Sequence, residues 1–283
     1  MKKLLAIALT ALLVLSLAAT GLADTVTIAV PNDATNEGRA LLLLQSAGVL
    51  TLKEDAGITA QKNDVAEFKT AEIDFNEVEA AMVANVLPDV DYAIINNNYA
   101  LDFGLNPVKD SLLIEDADSP YVNVVCVKEG NETSDLAKAL AAAVLSQKVA
   151  DFINATYDGA AISTVAEPTD GFDATVDYAA LAGQTISIAC SPTPHAQILK
   201  VVAEILAEKD IKLDIIEFTD YVQPNSVVEA GDVFANYFAH QPYQDNFNAE
   251  NGTHLVTIAG VHVEPMALYG GKQADLTALG IAK

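Results

Sequence analysis

The sequence has 283 residues, of which 51% are hydrophobic, and a formal net charge of -24 at pH 7. A chain of this length and composition can bury a substantial core in one or two domains, which excludes a disordered protein. The strong negative charge repels nucleic acids and anionic lipid surfaces, so neither is expected as a partner.

The first 23 residues predict a secretory signal peptide. Lys2 and Lys3 precede an apolar run over residues 4–17, and Gly21 and Ala23 are small residues that suit a cleavage site. The apolar run is too short to span a bilayer comfortably. We therefore expect an exported protein whose mature chain begins at Asp24.

Apolar runs of strand length alternate with helical patterns along the rest of the chain, beginning with a strand at residues 25–30 and a helix at 36–47. The clearest helix spans residues 194–209, where apolar side chains share one face. Further strands are predicted at residues 72–75, 92–95, 121–128, 185–189, 212–218 and 255–260. This alternation predicts an α/β fold with parallel sheets, which bind ligands beyond the carboxyl ends of their strands.

Residues 164–184 interrupt the alternation with Pro168, Gly171, Gly183 and several acidic residues. This composition is typical of a surface linker, with a short ordered stretch expected around residues 176–181.

Arg39 is the only arginine of the sequence, and it lies between a predicted strand and the helix that follows. A helix N-terminus attracts anions, and a guanidinium binds a carboxylate through two parallel hydrogen bonds. The position therefore favours a receptor for a carboxylate. The alternative is a surface ion pair, which contributes at most about 1 kcal/mol.

Aromatic and amide side chains form two further candidate groups. Rings cluster at residues 218–221 and 236–243, and they would suit an apolar or thioether side chain if they faced one cavity. Amides follow the predicted strand at 92–95 and recur at Asn123, and they offer both donors and acceptors to a zwitterion. Core packing and turn formation are the respective alternatives.

Catalytic and metal-binding motifs are sparse. The sequence contains no G-x-S-x-G, P-loop, G-x-G-x-x-G or H-E-x-x-H motif, so no catalytic residue, cofactor or metal ligand is assigned. Cys126 and Cys190 are too few for a disulfide framework and are expected to be buried thiols. A metal site remains an alternative if certain histidines converge with a glutamate, namely His195, His240, His254, His262 and Glu264.

Several blocks of sequence carry a resemblance to a known family. They are residues 31–45, 96–100, 119–123, 191–195 (Ser-Pro-Thr-Pro-His), 218–225, 236–243 and 262–266 (His-Val-Glu-Pro-Met). Together they resemble the methionine-binding lipoproteins of the NlpA type, which are substrate-binding components of methionine importers. In that family the 191–195 block comes near the mature N-terminus, and the 31–45 block follows the 262–266 block. The chain therefore resembles a circular permutant in which residues 164–184 join the family's old ends.

The resemblance implies a circularly permuted fold of two Rossmann-like lobes around a ligand cleft, as in type II periplasmic binding proteins. Residues 24–101 would form the lobe with the carboxylate-binding arginine, and residues 102–283 the lobe with an aromatic cage. Arg39 would bind the ligand carboxylate, and Asn96 and Asn123 its polar end. The cage around the ligand side chain would consist of Tyr221, Phe238, His240 and Tyr243.

The implied function is that of a monomer which captures L-methionine or a closely related small ligand and delivers it to the permease of an ABC importer, without catalysis or a cofactor. Receptors for a methionine-containing dipeptide or a metal ion are the alternatives. Family members typically carry a lipid-modified cysteine directly after the signal, yet the first cysteine here is Cys126. A periplasmic or extracellular protein without a lipobox cysteine is therefore expected.

Overall fold

The computed structural model describes residues 25–116 and 119–282, so the predicted signal peptide lies outside the described residues. The chain forms two main sheets, which confirms the predicted α/β class. Across the first sheet the strands are β4 (Ile73–Val78), β1 (Val26–Pro31), β5 (Tyr92–Ile95), β13 (Ala267–Gly270) and β6 (Leu113–Ile114). Across the second they are β10 (Lys212–Glu217), β9 (Thr185–Cys190), β11 (Ala235–His240), β7 (Val122–Lys128), β12 (Leu255–Val263) and β8 (Ile162–Ser163).

Helices cover both sheets, and a small antiparallel pair, β2 (Leu50–Leu52) and β3 (Val65–Phe68), lies beside the first. The helices are α1 (Ala34–Ser46), α2 (Ala80–Val86), α3 (Asn97–Asp102), α4 (Pro107–Asp110), α5 (Asp135–Val144), α6 (Gln147–Tyr157), α7 (Tyr178–Leu181), α8 (Gln197–Ala207), α9 (Gln223–Ala230) and α10 (Gln241–Asn251). Within the two described ranges, no helix combines the length and the apolar character that crossing a membrane requires.

The sheets are mixed, and the prediction of wholly parallel sheets is wrong. In the first sheet β13 runs antiparallel to β5, and in the second β7 runs antiparallel to β11. Both strands follow a crossing of the chain between the sheets, from β6 to β7 and from β12 to β13. Each therefore enters its sheet at the edge where the neighbouring parallel strands end, and it must run in the opposite direction.

The two crossings also correct the predicted lobe boundary. Residues 102–283 were expected to belong to the second lobe, but β6 and β13 pair within the sheet that contains β1. Met266, Leu268 and Leu279 pack in the same core cluster as Val26. A chain that crosses twice between lobes cannot be divided at a single position.

The predicted surface linker at residues 164–184 is partly packed instead. Val176 and Leu181 are buried in the core of the second lobe, and the Thr169 hydroxyl donates to the Ala142 carbonyl at 2.6 Å. The short helix α7 lies within the ordered stretch that was expected. The segment joins β8 to β9 within one sheet and is held against that sheet by its own apolar side chains.

Cys126 in β7 and Cys190 in β9 are buried free thiols, as predicted. Burial raises the pKa of both thiols to about 12, which keeps them protonated and unreactive. The strand β11 was not predicted, because its sequence was interpreted only as a cluster of rings.

Candidate functional site

A cavity lies between the two sheets, and side chains of both lobes form its wall. It brings together all seven residues that were predicted to bind a ligand, and it adds five that were not assigned to a ligand. The predicted residues in its wall are Arg39, Asn96, Asn123, Tyr221, Phe238, His240 and Tyr243. The additional ones are Asn36, Asn97, Asn98, Ala239 and Glu264.

Three strands end at this cavity, and each leads directly into a helix: β1 into α1, β5 into α3 and β11 into α10. Asp33 caps α1 by accepting a hydrogen bond from the Asn36 N–H, and His240 caps α10 by accepting one from the Tyr243 N–H at 3.1 Å. The cavity thus lies beyond the carboxyl ends of parallel strands, where α/β sheets bind ligands.

The Arg39 side chain is buried and already paired. Its Nε donates to Glu115 Oε1 at 3.0 Å, and its Nη2 donates to Glu115 Oε2 at 2.5 Å and to the Glu264 carbonyl at 2.6 Å. The ring of Tyr121 lies 4.3 Å below the guanidinium carbon. The alternative of a surface ion pair is therefore wrong, because the guanidinium is buried, although Arg39 does form an ion pair with Glu115. Because Nε and Nη2 are occupied, Nη1 is the group that can donate to a ligand.

The consecutive amides of the first lobe each keep one polar atom without a partner. Asn96 Nδ2 donates to Asn36 Oδ1 at 2.7 Å, and Asn97 Nδ2 donates to Glu264 Oε2 at 3.1 Å. Asn98 Oδ1 accepts from the Tyr221 hydroxyl at 2.6 Å. Among the described residues, the buried atoms Asn96 Oδ1, Asn97 Oδ1 and Asn98 Nδ2 have no hydrogen-bond partner. Such atoms are costly unless a ligand or water satisfies them.

Glu264 is a buried carboxylate in the cavity wall. Its Oε1 lies 2.8 Å from His262 Nε2 and 3.3 Å from His195 Nε2. Burial alone would raise the pKa of Glu264, but the hydrogen bonds that its carboxylate accepts from His262 and from the Asn97 amide oppose burial and hold the pKa below its usual value. Burial lowers the pKa of His195 to about 3, so this imidazole is neutral. Glu264 therefore places a negative charge beside the unpaired amide oxygens.

Another part of the cavity wall is aromatic, and it adjoins the amides where the Tyr221 hydroxyl donates to Asn98. The Tyr221 ring lies 5.9 Å from Phe238 and 5.7 Å from Tyr243, and the latter two rings are 6.0 Å apart. The Tyr243 hydroxyl donates to the Tyr221 carbonyl at 2.8 Å, which turns its polar tip away from the ring faces. This part presents an apolar surface to the cavity.

The residues considered for a metal site converge only in part. His195, His262 and Glu264 offer ligand atoms that lie within 4.8 Å of one another. His240 instead faces Asn36 at 3.0 Å, and His254 is largely exposed beside Glu229. The hydrogen bond between His262 and Glu264 accounts for the short distance without an ion.

Sequence reasoning missed Asn36, Asn97, Asn98 and Glu264 as parts of the ligand site. Asn97 and Asn98 belong to a run that was singled out, and Glu264 was considered only as a metal ligand. Asn36 gave no separate signal, because its role depends on Asn96 and His240, which lie 60 and 204 residues away along the chain.

Comparison with known proteins extends this description. The family model of the NlpA lipoprotein matches residues 18–165 and 186–281. An outer membrane lipoprotein 3 of Mannheimia haemolytica is 41% identical over 141 residues, which cover 50% of this chain and 53% of that protein. A probable D-methionine-binding lipoprotein MetQ of Pasteurella multocida is 42% identical over 128 residues, which cover 45% of this chain and 46% of that protein.

A solved structure of a nutrient-binding protein from Burkholderia cenocepacia bound to methionine is 41% identical, with a TM-score of 0.45. The match covers 49% of this chain and 59% of that one. The chain thus matches about half the length of each of these relatives.

Proposed function

The chain belongs to the NlpA lipoprotein family, and from this premise we propose that it is a non-catalytic receptor that closes its two lobes on methionine. The observation that carries the proposal is the cavity between the two sheets, whose wall combines a polar part with unpaired atoms and an aromatic part. A ligand that fits must be polar and charged at one end and apolar at the other.

The polar part suits a zwitterion. Asn96 Oδ1, Asn97 Oδ1 and the Glu264 carboxylate are acceptors, which an ammonium group requires. Asn98 Nδ2 and the Arg39 guanidinium are donors, which a carboxylate requires. An α-amino acid carries both groups on one carbon atom. We therefore assign this part to the backbone of a free amino acid.

The aromatic part suits a thioether side chain, because sulfur gains about 0.3–1.5 kcal/mol against a ring edge. The relative from Pasteurella multocida is named as D-methionine-binding, which agrees with this ligand.

Isothermal titration calorimetry against single amino acids tests the proposal. We expect L- or D-methionine to bind more tightly than norleucine, and methionine-containing dipeptides to bind weakly. Absence of heat and of a thermal shift with both methionine isomers, together with binding of a different solute, would replace the ligand. Consumption of bound methionine during prolonged incubation would show that the receptor is an enzyme instead.

We also propose that the protein works outside the cytoplasm and hands its ligand to the permease of an ABC importer, as a monomer. The names of the relatives as lipoproteins support an extracytoplasmic location. The expectation of a protein without a lipid anchor gains no support from these names, because they describe lipoproteins. Fractionation of the producing cells and transport of labelled methionine with and without the protein test both statements.

A metal-binding receptor is the second candidate function, and the convergence of His195, His262 and Glu264 favours it. It ranks below methionine because His262 already donates to Glu264 and the His195 Nε2 already donates to Asn123 Oδ1 at 2.9 Å. Elemental analysis of protein purified without chelator decides between them. One bound metal ion per chain that is lost in His262→Gln would support the metal site.

The order of the sequence blocks leads us to propose that the chain is a circular permutant of the family. The family model matches in two segments that leave out residues 166–185, close to the predicted junction. Thr25 and Gly280 line one surface cleft, so a short linker could join residues 282 and 25. A chain rejoined there and opened within residues 164–184 should keep its fold and its affinity for methionine.

A further inference from the structure

The side chain of Asn36 has no polar atom left for a ligand, although it lies in the cavity wall. Its Oδ1 accepts from Asn96 Nδ2 at 2.7 Å and faces His240 Nε2 at 3.0 Å. Its Nδ2 donates to both carboxylate oxygens of Asp33, at 2.9 and 3.1 Å. Asn36 is 1% exposed. All its hydrogen bonds therefore connect parts of the protein with one another.

Asp33 determines which way the Asn36 amide faces. A carboxylate only accepts hydrogen bonds, so the amide must present its Nδ2 to Asp33 and its Oδ1 to the cavity side. Asn96 must then donate through its own Nδ2, which leaves Asn96 Oδ1 as the unpaired acceptor in the cavity. Asp33 thus determines the orientation of the Asn96 amide through Asn36, by two successive hydrogen bonds.

The same oxygen of Asn36 reaches the second lobe. His240 Nδ1 accepts the Tyr243 N–H, so the proton of this neutral imidazole lies on Nε2 and points at Asn36 Oδ1. Asn36 and Asn96 belong to the first lobe, whereas His240 ends β11 of the second. One amide oxygen therefore joins a residue of each lobe.

We infer that Asn36 is a positioning residue that, anchored by Asp33, aligns Asn96 for the ligand and joins it to His240 only when the lobes are closed. Ligand alignment and lobe closure then both depend on the Asn36 amide. Loss of this amide should weaken ligand binding and destabilise the closed state. The affinity readout of this inference depends on the proposed function, but the readout of closure does not.

The decisive variants separate this role from helix capping. Asp33→Ser keeps a good N-cap for α1, but a serine hydroxyl cannot hold the Asn36 amide with two oxygens. Asn36→Ala removes the amide that bonds Asn96 and His240. The matched control is Thr35→Val, which deletes the neighbouring hydrogen bond from the Thr35 hydroxyl to Asp33 and leaves Asn36 untouched. We expect Asp33→Ser and Asn36→Ala each to weaken methionine binding about tenfold, and Thr35→Val to bind like the wild type.

Lobe closure is measured without ligand by the distance between two spin labels. Glu54→Cys and Glu208→Cys place labels at exposed positions, one on each lobe, and the two native thiols are buried. We expect Asn36→Ala to shift the distance distribution towards longer, open distances relative to the labelled wild type. If Asn36 only stabilised the fold and had no part in closure, Asn36→Ala would lower the melting temperature and leave this distance distribution unchanged.

A double-mutant cycle completes the test. Combining Asn36→Ala with His240→Phe should weaken binding by clearly less than the product of the two single effects, because both remove the same hydrogen bond. Multiplicative effects together with an unchanged distance distribution overturn the inference. If the wild type binds no methionine, the proposed function fails, and the distance measurement still decides whether Asn36 joins the lobes.

Discussion

The wall that the first lobe gives to the cavity differs from the wall that the second lobe gives. In the first, amides and a guanidinium are hydrogen-bonded mainly to other protein groups, and only single atoms such as Asn97 Oδ1 are left over. In the second, the rings of Tyr221, Phe238 and Tyr243 pack against one another. The first wall can therefore discriminate by charge and direction, and the second by shape and polarisability.

This difference has an energetic consequence. A buried polar network is held rigid by its own bonds, so the atoms left over are preorganised for the ligand and little ordering remains to oppose binding. Ring packing tolerates small changes of ligand shape more easily. Changes in the first wall should therefore have large effects that depend on ligand charge. Changes in the second should have small effects that depend on the ligand side chain.

The largest effect on affinity is expected for Glu264→Gln, because this carboxylate lies at the crossing from β12 to β13 and accepts a hydrogen bond from Asn97 of the first wall. Glutamine keeps the shape and can still accept from His262, but it removes the negative charge that faces the ligand ammonium. In calorimetric titrations we expect the Kd for methionine to rise on the order of 100-fold, which is a loss of about 3 kcal/mol in binding free energy. Glu229→Gln, which changes a carboxylate beside His254, is the control and should bind normally.

The dependence on charge sharpens this prediction. 4-(Methylthio)butanoate lacks the ammonium group, so its weak binding should not weaken further in Glu264→Gln. An equal loss for methionine and for this analogue would mean that Glu264 supports the wall without sensing the ammonium.

The buried imidazole of His195, which lies in the second lobe beside Glu264, should make the fold sensitive to acid. The unfolded chain binds a proton at His195 near pH 6.5, but the folded chain does so only near its pKa of about 3. The unfolded state thus binds more protons between these values, and stability must fall as the pH falls. The residue alone should remove on the order of 2–3 kcal/mol between pH 6 and pH 4.

Urea unfolding at a series of pH values measures this slope. His195→Gln should make the slope shallower by the contribution of one histidine. The same substitution at the largely exposed His254 should leave it unchanged. If both variants keep the wild-type slope, His195 is protonated in the folded protein at a higher pH than its burial indicates.

A smaller effect on affinity is expected for Arg39→Ala. Glu115 already occupies two groups of the guanidinium, so the ligand carboxylate gains fewer than the full set of hydrogen bonds. We expect methionine binding to weaken by about 2 kcal/mol, roughly 30-fold. Methionine amide, which has no carboxylate, should bind equally to both forms. Lys148→Ala removes a surface cation that pairs with Glu204 and serves as the control. An unchanged affinity for methionine would remove Arg39 from the site.

The sequence predicted the two walls unequally well. Strands such as β5 and the ring cluster are local patterns, and the family resemblance assigned Arg39 and the rings to one ligand. The pairing of Arg39 with Glu115 was not predictable, because these residues are 76 positions apart and meet only where the chain crosses between lobes. The lobe boundary was wrong for the same reason, since β13 enters the first sheet from the second lobe.

The smallest effect should come from Phe238→Leu in the second wall. Leucine keeps an apolar side chain in the wall but loses the ring edge that favours sulfur, so methionine should bind about fivefold more weakly, near 1 kcal/mol. Norleucine has the same shape as methionine without sulfur, and its affinity should change little. The variant should therefore reduce the preference for methionine over norleucine.

The matched control for Phe238→Leu is Phe247→Leu. Phe247 is buried and lies 6.0 Å from Tyr243, and Tyr243 rather than Phe247 lines the cavity. It should lower stability without changing the preference for methionine. If both variants lower the affinities for methionine and norleucine equally, the rings act only through the packing of the second lobe. The second wall would then not recognise the ligand side chain, and the contrast with a first wall that recognises ligand charge would fail.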